Sequence, residues 1–514
     1  MATFVAASRL PLAVVQSTGP RPEHHTLSFW MHRVLAELDK LRSAPDADTV
    51  HDLRVAIRRC RSLATVMEEV DPHPAWPQMR KAARKLFRGL GEVRDAQVLE
   101  DWIKQLAAED DPLRAQLLAS LQSAEKERTE AALRIAAKFH TQKWLDLDHQ
   151  LHRRFRFVPA ASLAAECLAL ERFEEARELH SLALRTEKPK PWHALRIGLK
   201  KFRYTVEGFL PEHHAAWSKN LKRLQDLLGD IHDLDVLLEK LDDPQIPVAS
   251  AAPWRAKIAH ERHERVETYR RLTLGRTSLW NEWRHNLPHN GRLAAAVTAR
   301  LRATARAADP HPRRTSQESR IALRIFDILR RQKAASVFLA DSTLRILQAA
   351  AQLHGFSSVG DRTLSLKAVR KLLTGLAIPP GWSTDHWDLM AWAIRFHRGA
   401  EPRQKNGFAK LDEEEQTVVR AAAGVLRLAR VLRKTGISTS VGLRSEKSAD
   451  AFVLRVPGLA DTAETAGRLA VAKHLLESVL PKPLILKSVP KPEKVVAVAA
   501  EPASELPALP VASD

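Results

Sequence analysis

Three blocks of this 514-residue chain occur twice, in the same order and at nearly constant separation. HDLRVAIRRCRS (51–62) is matched by HALRIGLKKFRY (193–204), 142 residues further on. LGEVRDAQVL (90–99) is matched by LGDIHDLDVL (228–237) at 138, and KERTEAALR (126–134) by HERVETYRR (263–271) at 137. Internal similarity of this kind marks a duplicated structural unit, here over about 25–155 and 160–295. A chain of 514 residues is too long for one ordinary core, so two to four domains are expected in all.

Glycine is scarce (19 residues), and apolar positions recur at three-to-four spacing, the pattern of a mainly α-helical protein. A helix is expected from near Thr26 through LSFWMHRVLAELDKLRS. Asp48 or Thr49 would cap the next one. Residues 301–317, around ADPHPRRTSQESR, read as a basic linker ahead of a second helical domain over 318–489. That domain closes on a strand–helix–strand element, with strands at 450–458 and 482–490. Residues 1–24 and the Pro/Ala/Val-rich 490–514 are expected to be disordered. No run of 18 apolar residues lacks a charge, and the N-terminus is a poor secretory signal. Cys60 and Cys167 are the only cysteines and fall on apolar helix sides, as buried thiols. These features fit a cytoplasmic protein without a membrane partner.

The formal charge of +20 predicts a polyanionic partner. Its distribution is uneven: residues 1–300 hold 48 basic against 40 acidic side chains, whereas 251–400 hold 26 against 11. The repeats must therefore sort their cations onto one face if they bind an anion. A helical wheel does this sorting. With His51 at 0° and about 100° per residue, Arg54, Arg58 and Arg61 fall between about 280° and 340°. Leu53, Ile57 and Cys60 fall between about 180° and 240°. In the second copy His193, Arg196, Lys200 and Arg203 form the ladder, and Leu195, Leu199 and Phe202 the apolar side.

A ladder of like charges on one helix repels itself. Carboxylates on neighbouring helices could offset it, Asp95 and Asp233 among them, or an external polyanion could. Any single charge is ordinarily solvated or ion-paired, but a His/Arg ladder kept in both copies reads as a binding face. A second tier corresponds at the 138 offset: Lys81 with Lys219, Arg84 with Lys222, Lys85 with Arg223. Gly91 and Gly229 mark a turn or a close helix contact between them. Arginine forks and lysine point charges suit phosphate oxygens, and evenly repeated cations suit a chain of phosphates. Nucleic acid would add aromatic stacking, yet tyrosine occurs twice, aromatics make up 6%, and the ladder faces carry almost none.

The two ladder motifs, with the paired LG(E/D)xxD blocks, resemble the CHAD family, the conserved histidine α-helical domain. The resemblance covers about 25–295, within a domain expected over 25–300. It implies two helical bundles related by a pseudo-twofold axis, with inorganic polyphosphate bound on the basic surface between them. On that resemblance the matching positions are His51, Arg54, Arg58, Arg61, His193, Arg196, Lys200 and Arg203, with the six second-tier cations beside them. The function implied is non-enzymatic polyphosphate binding, without a cofactor or metal. Other polyanions are further partners, nucleic acid is less favoured, and targeting to polyphosphate granules is one role left open. Only about 24 residues precede the bundle, so the triphosphatase module that often accompanies the family is not expected.

A weaker resemblance links LRILQAAAQLHGF (344–356), LMAWAIRFHRGAEP (389–402) and FAKLDEEEQTVVRAAAGVLRLARVL (408–432) to the HD-like C-terminal region of exopolyphosphatases. That family would show His-Asp and Leu-Ala-Asp where this chain has His354-Gly355 and Ala429-Arg430. A divalent metal needs several carboxylate or imidazole ligands. The expectation is a degenerate domain with His354 and His397 outside any metal site. Metal-dependent polyphosphate hydrolysis and nucleic-acid binding stand as alternatives. The pairs His213/His214 and His260/His263 read as solvated faces.

Overall fold

The computed structural model describes residues 26–490 except 45, 187, 245, 310, 360, 361, 364–367, 369–372, 374, 375, 377, 400–406 and 438–441. Of the segments expected to be disordered, residues 1–24 and 491–514 lie outside the described residues. The chain divides into two units, Met1–Asp309 with Thr374–Trp382, and Pro310–Leu373 with Ser383–Asp514.

Up to Asp309, the described residues of the first unit are helices and their short connections, and the arrangement is doubled. Copy one comprises α1 (Leu27–Ser43), α2 (Ala47–Met67), α3 (Ala75–Ala82), α4 (Arg84–Leu106), α5 (Pro112–Ala137) and α6 (Thr141–Arg154). Copy two comprises α7 (Leu163–Thr186), α8 (Pro189–Phe209), α9 (Pro211–Lys240), α10 (Val248–Thr273) and α11 (Leu279–Asn286). The long α9 corresponds to α3 and α4 together, which copy one separates at Ala83. α1 starts near Thr26 as expected, and the Thr26 hydroxyl caps it, accepting from the Phe29 amide. The cap of α2 is Asp46 rather than Asp48 or Thr49; Thr49 instead completes a reciprocal capping box with it.

The wheel's apolar sides become the core. Leu53, Ile57, Cys60, Leu195, Leu199 and Phe202 are fully buried. In copy two, Trp280 of α11 packs edge-on against Trp283 and Phe173, and Trp283 lies tilted against Phe202, each burial contributing roughly 1.5–3 kcal/mol. The copies meet through α2 against α8 and α4 against α9. A separate cluster joins the far ends of α4 and α5 to those of α9 and α10, with Trp102, Leu117, Leu237 and Trp254 inside it. α12 (Asn290–Ala308) packs on α7 and is tied to it by the buried Arg300–Glu171 pair at 2.8 Å.

The second unit begins with α13 (Pro312–Arg331), so residues expected as a linker complete α12 and open α13. Then follow α14 (Ser336–Leu339), α15 (Asp341–Leu353), a two-residue antiparallel pair β1 (Ser358–Val359) and β2 (Arg362–Thr363), α16 (Thr384–Phe396) and α17 (Glu413–Lys434). A three-stranded sheet closes the described chain: β3 (Arg444–Glu446), β4 (Phe452–Pro457) and β5 (Leu484–Val489). β4 and β5 run parallel, joined by α18 (Ala463–Glu477), while the unanticipated β3 pairs antiparallel to β4. Gly424 lets α18 approach α17, since a Cβ there would meet the Leu476 backbone nitrogen at 2.8 Å.

Candidate anion-binding groove

Because α2 and α8 lie side by side with their apolar faces turned to the core, their polar edges flank one open cavity of about 500 Å³. Six ladder residues line it: Arg54, Arg58 and Arg61 from copy one, His193, Arg196 and Lys200 from copy two. Arg80, Arg172 and Lys201 add three cations, and Phe87 and Tyr204 two rings.

Each copy holds its ladder differently. Arg54 lies 3.7 Å from Asp95 and fills space that a Cβ on Gly91 would occupy, 2.7 Å from its Nη1. Gly91 therefore sits inside a continuous helix, not a turn; Gly229 sits likewise inside α9, with open space around it. The Arg61 guanidinium donates to the Arg80 carbonyl at 2.8 Å and lies over the Phe87 ring at 5.0 Å, with Arg54 at 5.5 Å from the same ring. The counterpart of Phe87 at the 138 offset is Gln225, and the counterpart of Arg61 is Arg203. There Arg203 donates to the Gln225 side-chain oxygen instead. The same position thus supports the same arginine by cation–π contact in one copy and by a hydrogen bond in the other.

Carboxylates collect at the groove's edges. Glu68 pairs with Arg80, Glu69 and Glu175 with Arg172, Glu175 with Lys201 at 2.6 Å, and Glu207 with Arg59. The middle differs. Among the described residues, no carboxylate lies within ion-pair distance of Arg58, Arg196 or Lys200. The Nε atoms of Arg58 and Arg196 are buried without a hydrogen-bond partner.

The charge crowding is visible in the titrating groups. Burial, then Arg196, Arg58 and Arg54, push Lys200 down to about 7, against the pull of Asp233. Burial and Arg196 push His232 down to about 4 and lower His193, whose Nδ1 stands 3.2 Å from that of His232. Burial raises Asp233 to about 6, Arg196 opposing, with Asp95 and Asp230 adding to the rise. Burial also lowers Arg54, Arg61 and Arg203. Desolvated cations with too few counter-charges form a site that gains by accepting an anion.

The remaining expected residues do not line the cavity. His51 is exposed at the start of the ladder, and Arg203 is held aside by Gln225. Lys81, Arg84 and Lys85 on α3 and α4, and Lys219, Lys222 and Arg223 on α9, are exposed on outer faces. Arg84 is near enough to Arg61 to lower its pKa. Sequence reasoning missed Arg80, Arg172, Lys201, Phe87 and Tyr204 as lining residues. Tyr204 ends the second ladder motif and falls on its polar side, so the wheel held that signal. The expectation of a groove almost without aromatics is thereby corrected: Phe87 carries Arg54 and Arg61, and Tyr204 carries Arg58 at 5.7 Å.

In the second unit His354 and His397 are buried with ring centroids 5.1 Å apart. His354 Nε2 meets Glu318 at 2.9 Å, and Arg433 donates to the other Glu318 oxygen at 2.6 Å. Although burial raises Glu318, these contacts hold it well below the usual carboxylate range. Among the described residues no group of three His, Cys, Asp or Glu side chains could hold a metal ion. His260 and His263 are exposed, whereas His213 packs on Trp217 and His214 lies 3.7 Å from Glu207.

A duplicated helical bundle with a cationic groove along its paired central helices is the class that fold and site define. Comparison with known families agrees: residues 30–242 match the CHAD domain model. Among solved structures, the chain is similar to the CHAD domain of the plant Ricinus communis. The identity is 22%, the match covers 50% of this chain and 88% of that one, and the TM-score is 0.36. Comparison with curated proteins gives no match.

Proposed function

We propose that the groove between α2 and α8 binds inorganic polyphosphate and does not turn it over. The observation that carries this reading is the set of three central cations, Arg58, Arg196 and Lys200, with no carboxylate in ion-pair range among the described residues. Repeated cations along two adjoining helices suit a ligand whose charge repeats along its length. Both rings in the groove are already covered by guanidinium groups, which leaves bases without a free stacking platform and favours polyphosphate over nucleic acid. Candidate contacts are Arg54, Arg58, Arg61, His193, Arg196 and Lys200, with the exposed second-tier lysines and arginines guiding the chain to them. No helix among the described residues is long and apolar enough to cross a membrane, and a cytoplasmic, granule-associated role fits the ligand.

The test reverses charge at the centre. Arg58→Glu with Arg196→Glu is expected to abolish retention of the full chain on immobilised long-chain polyphosphate, with the helical circular dichroism spectrum preserved. In competition, polyphosphate should displace RNA from the native protein far better than RNA displaces polyphosphate. Retention unchanged by the double reversal would reject the site, and RNA winning the competition would reject the ligand.

A further inference from the structure

We propose that anion binding in this groove takes up a proton at Lys200, so that polyphosphate is held more tightly at neutral than at alkaline pH. The inference rests on the polyphosphate reading above and concerns how that site is regulated.

Lys200 stands where copy one has Arg58, its counterpart at the 142 offset. Guanidinium stays charged across the accessible pH range, whereas a desolvated ammonium can release its proton. Lys200 is therefore the central cation able to exist in two charge states. The charged groups around it come from each helix packed against α8. α2 presents Arg54 and Arg58, and α8 itself presents Arg196 and His193. α9 presents Asp233 and His232. α7 presents Arg172, whose charge is matched by Glu69 and Glu175. Three guanidinium groups thus oppose one carboxylate, Asp233, which is itself crowded by Asp95 and Asp230.

In the empty groove this balance brings Lys200 to about 7, so above that pH the amine is mostly neutral. A phosphate oxygen entering the cavity supplies the missing negative charge. The amine lone pair then binds one proton from solvent, giving the ammonium that contacts the ligand. The sign follows from linkage: the complex binds more protons than the free protein, so affinity falls as pH rises. The neighbouring titrations lie lower, with His232 at about 4 and Asp233 at about 6. His193 is likewise lowered, first by burial and then by Arg196 and Lys200. Between pH 7.5 and 9 the response of the groove therefore belongs to Lys200, and the internal phosphates of a long chain carry no proton there.

The experiment is calorimetric titration of the full chain with long-chain inorganic polyphosphate in buffers of differing ionisation enthalpy. At pH 8 the native protein should take up close to one proton per occupied groove, and its affinity should fall about tenfold per pH unit between pH 8 and 9. Lys200→Arg, charged at every pH used, should bind with neither the uptake nor the slope. Lys200→Met should bind more weakly at pH 7 and show the same flat profile. A flat profile in the native protein, or uptake that survives in Lys200→Arg, overturns the coupling while leaving the polyphosphate reading intact. Absence of binding by the native protein at every pH overturns the polyphosphate reading, and the coupling falls with it.

Discussion

At position 91 a hydrogen atom, in place of a side chain, decides where an arginine can lie. A Cβ on Gly91 would meet the Arg54 guanidinium at 2.7 Å, whereas one on Gly229, the equivalent position, would meet nothing within 4 Å. Both glycines sit mid-helix, where alanine is intrinsically better by roughly 1 kcal/mol. Gly229→Ala is therefore expected to stabilise the protein by up to about 1 kcal/mol and leave polyphosphate affinity unchanged. Gly91→Ala should keep the fold, because the obstructing atom ends a flexible side chain, but displace Arg54 from Asp95 and weaken binding several-fold. Thermal denaturation and titration of the two variants side by side check this, and equal effects on binding would contradict the assignment of Arg54. The conserved spacing of the two glycine blocks was readable in the sequence. Their different surroundings were not, because a wheel reports which side of a helix is polar and not what stands opposite.

Among the elements, α12 shows how a segment outside the repeats is fixed to them. Arg300 is fully buried and forms an ion pair with Glu171 of α7, itself only 9% exposed. Breaking such a pair leaves one charge uncompensated in the interior. Arg300→Met should destabilise the protein by about 3–5 kcal/mol, and Arg300→Met with Glu171→Leu should recover much of that loss. Chemical denaturation of the single and double variants measures it, and additive losses would contradict the pairing. Element type was largely legible: period 3.6 placed the ladder helices, a helix start was expected near Thr26, and the short apolar runs in DAFVLRVPG and KPLILKSVP announced β4 and β5. Partnership between elements was less so. The break at Ala83, which makes α3 and α4 of what copy two keeps as the single α9, left no trace in the matched blocks. Nor could the 138-residue offset show that Phe87 and Gln225 support their arginines by different forces, or that the second-tier cations face outward while Arg80 turns in.

For the molecule as a whole, a net charge of +20 is informative only through its sorting. Acids nearly match bases over the repeats, yet the structure gathers eight lysines and arginines around one cavity and sends the compensating carboxylates to its rim. Binding governed by those cations releases counterions, so affinity should fall steeply with salt. The five lysine and arginine contacts, Arg54, Arg58, Arg61, Arg196 and Lys200, at roughly 0.7 each give a slope of about −3.5 in the logarithm of affinity against log salt. The most direct measurement is that slope for long-chain polyphosphate on the native full chain and on Arg58→Gln with Arg196→Gln. If these two guanidinium groups touch the phosphate chain, the double variant's slope should be shallower by about 1.4, alongside weaker binding. Equal slopes in the two proteins would mean that the central cations of the groove never meet the ligand.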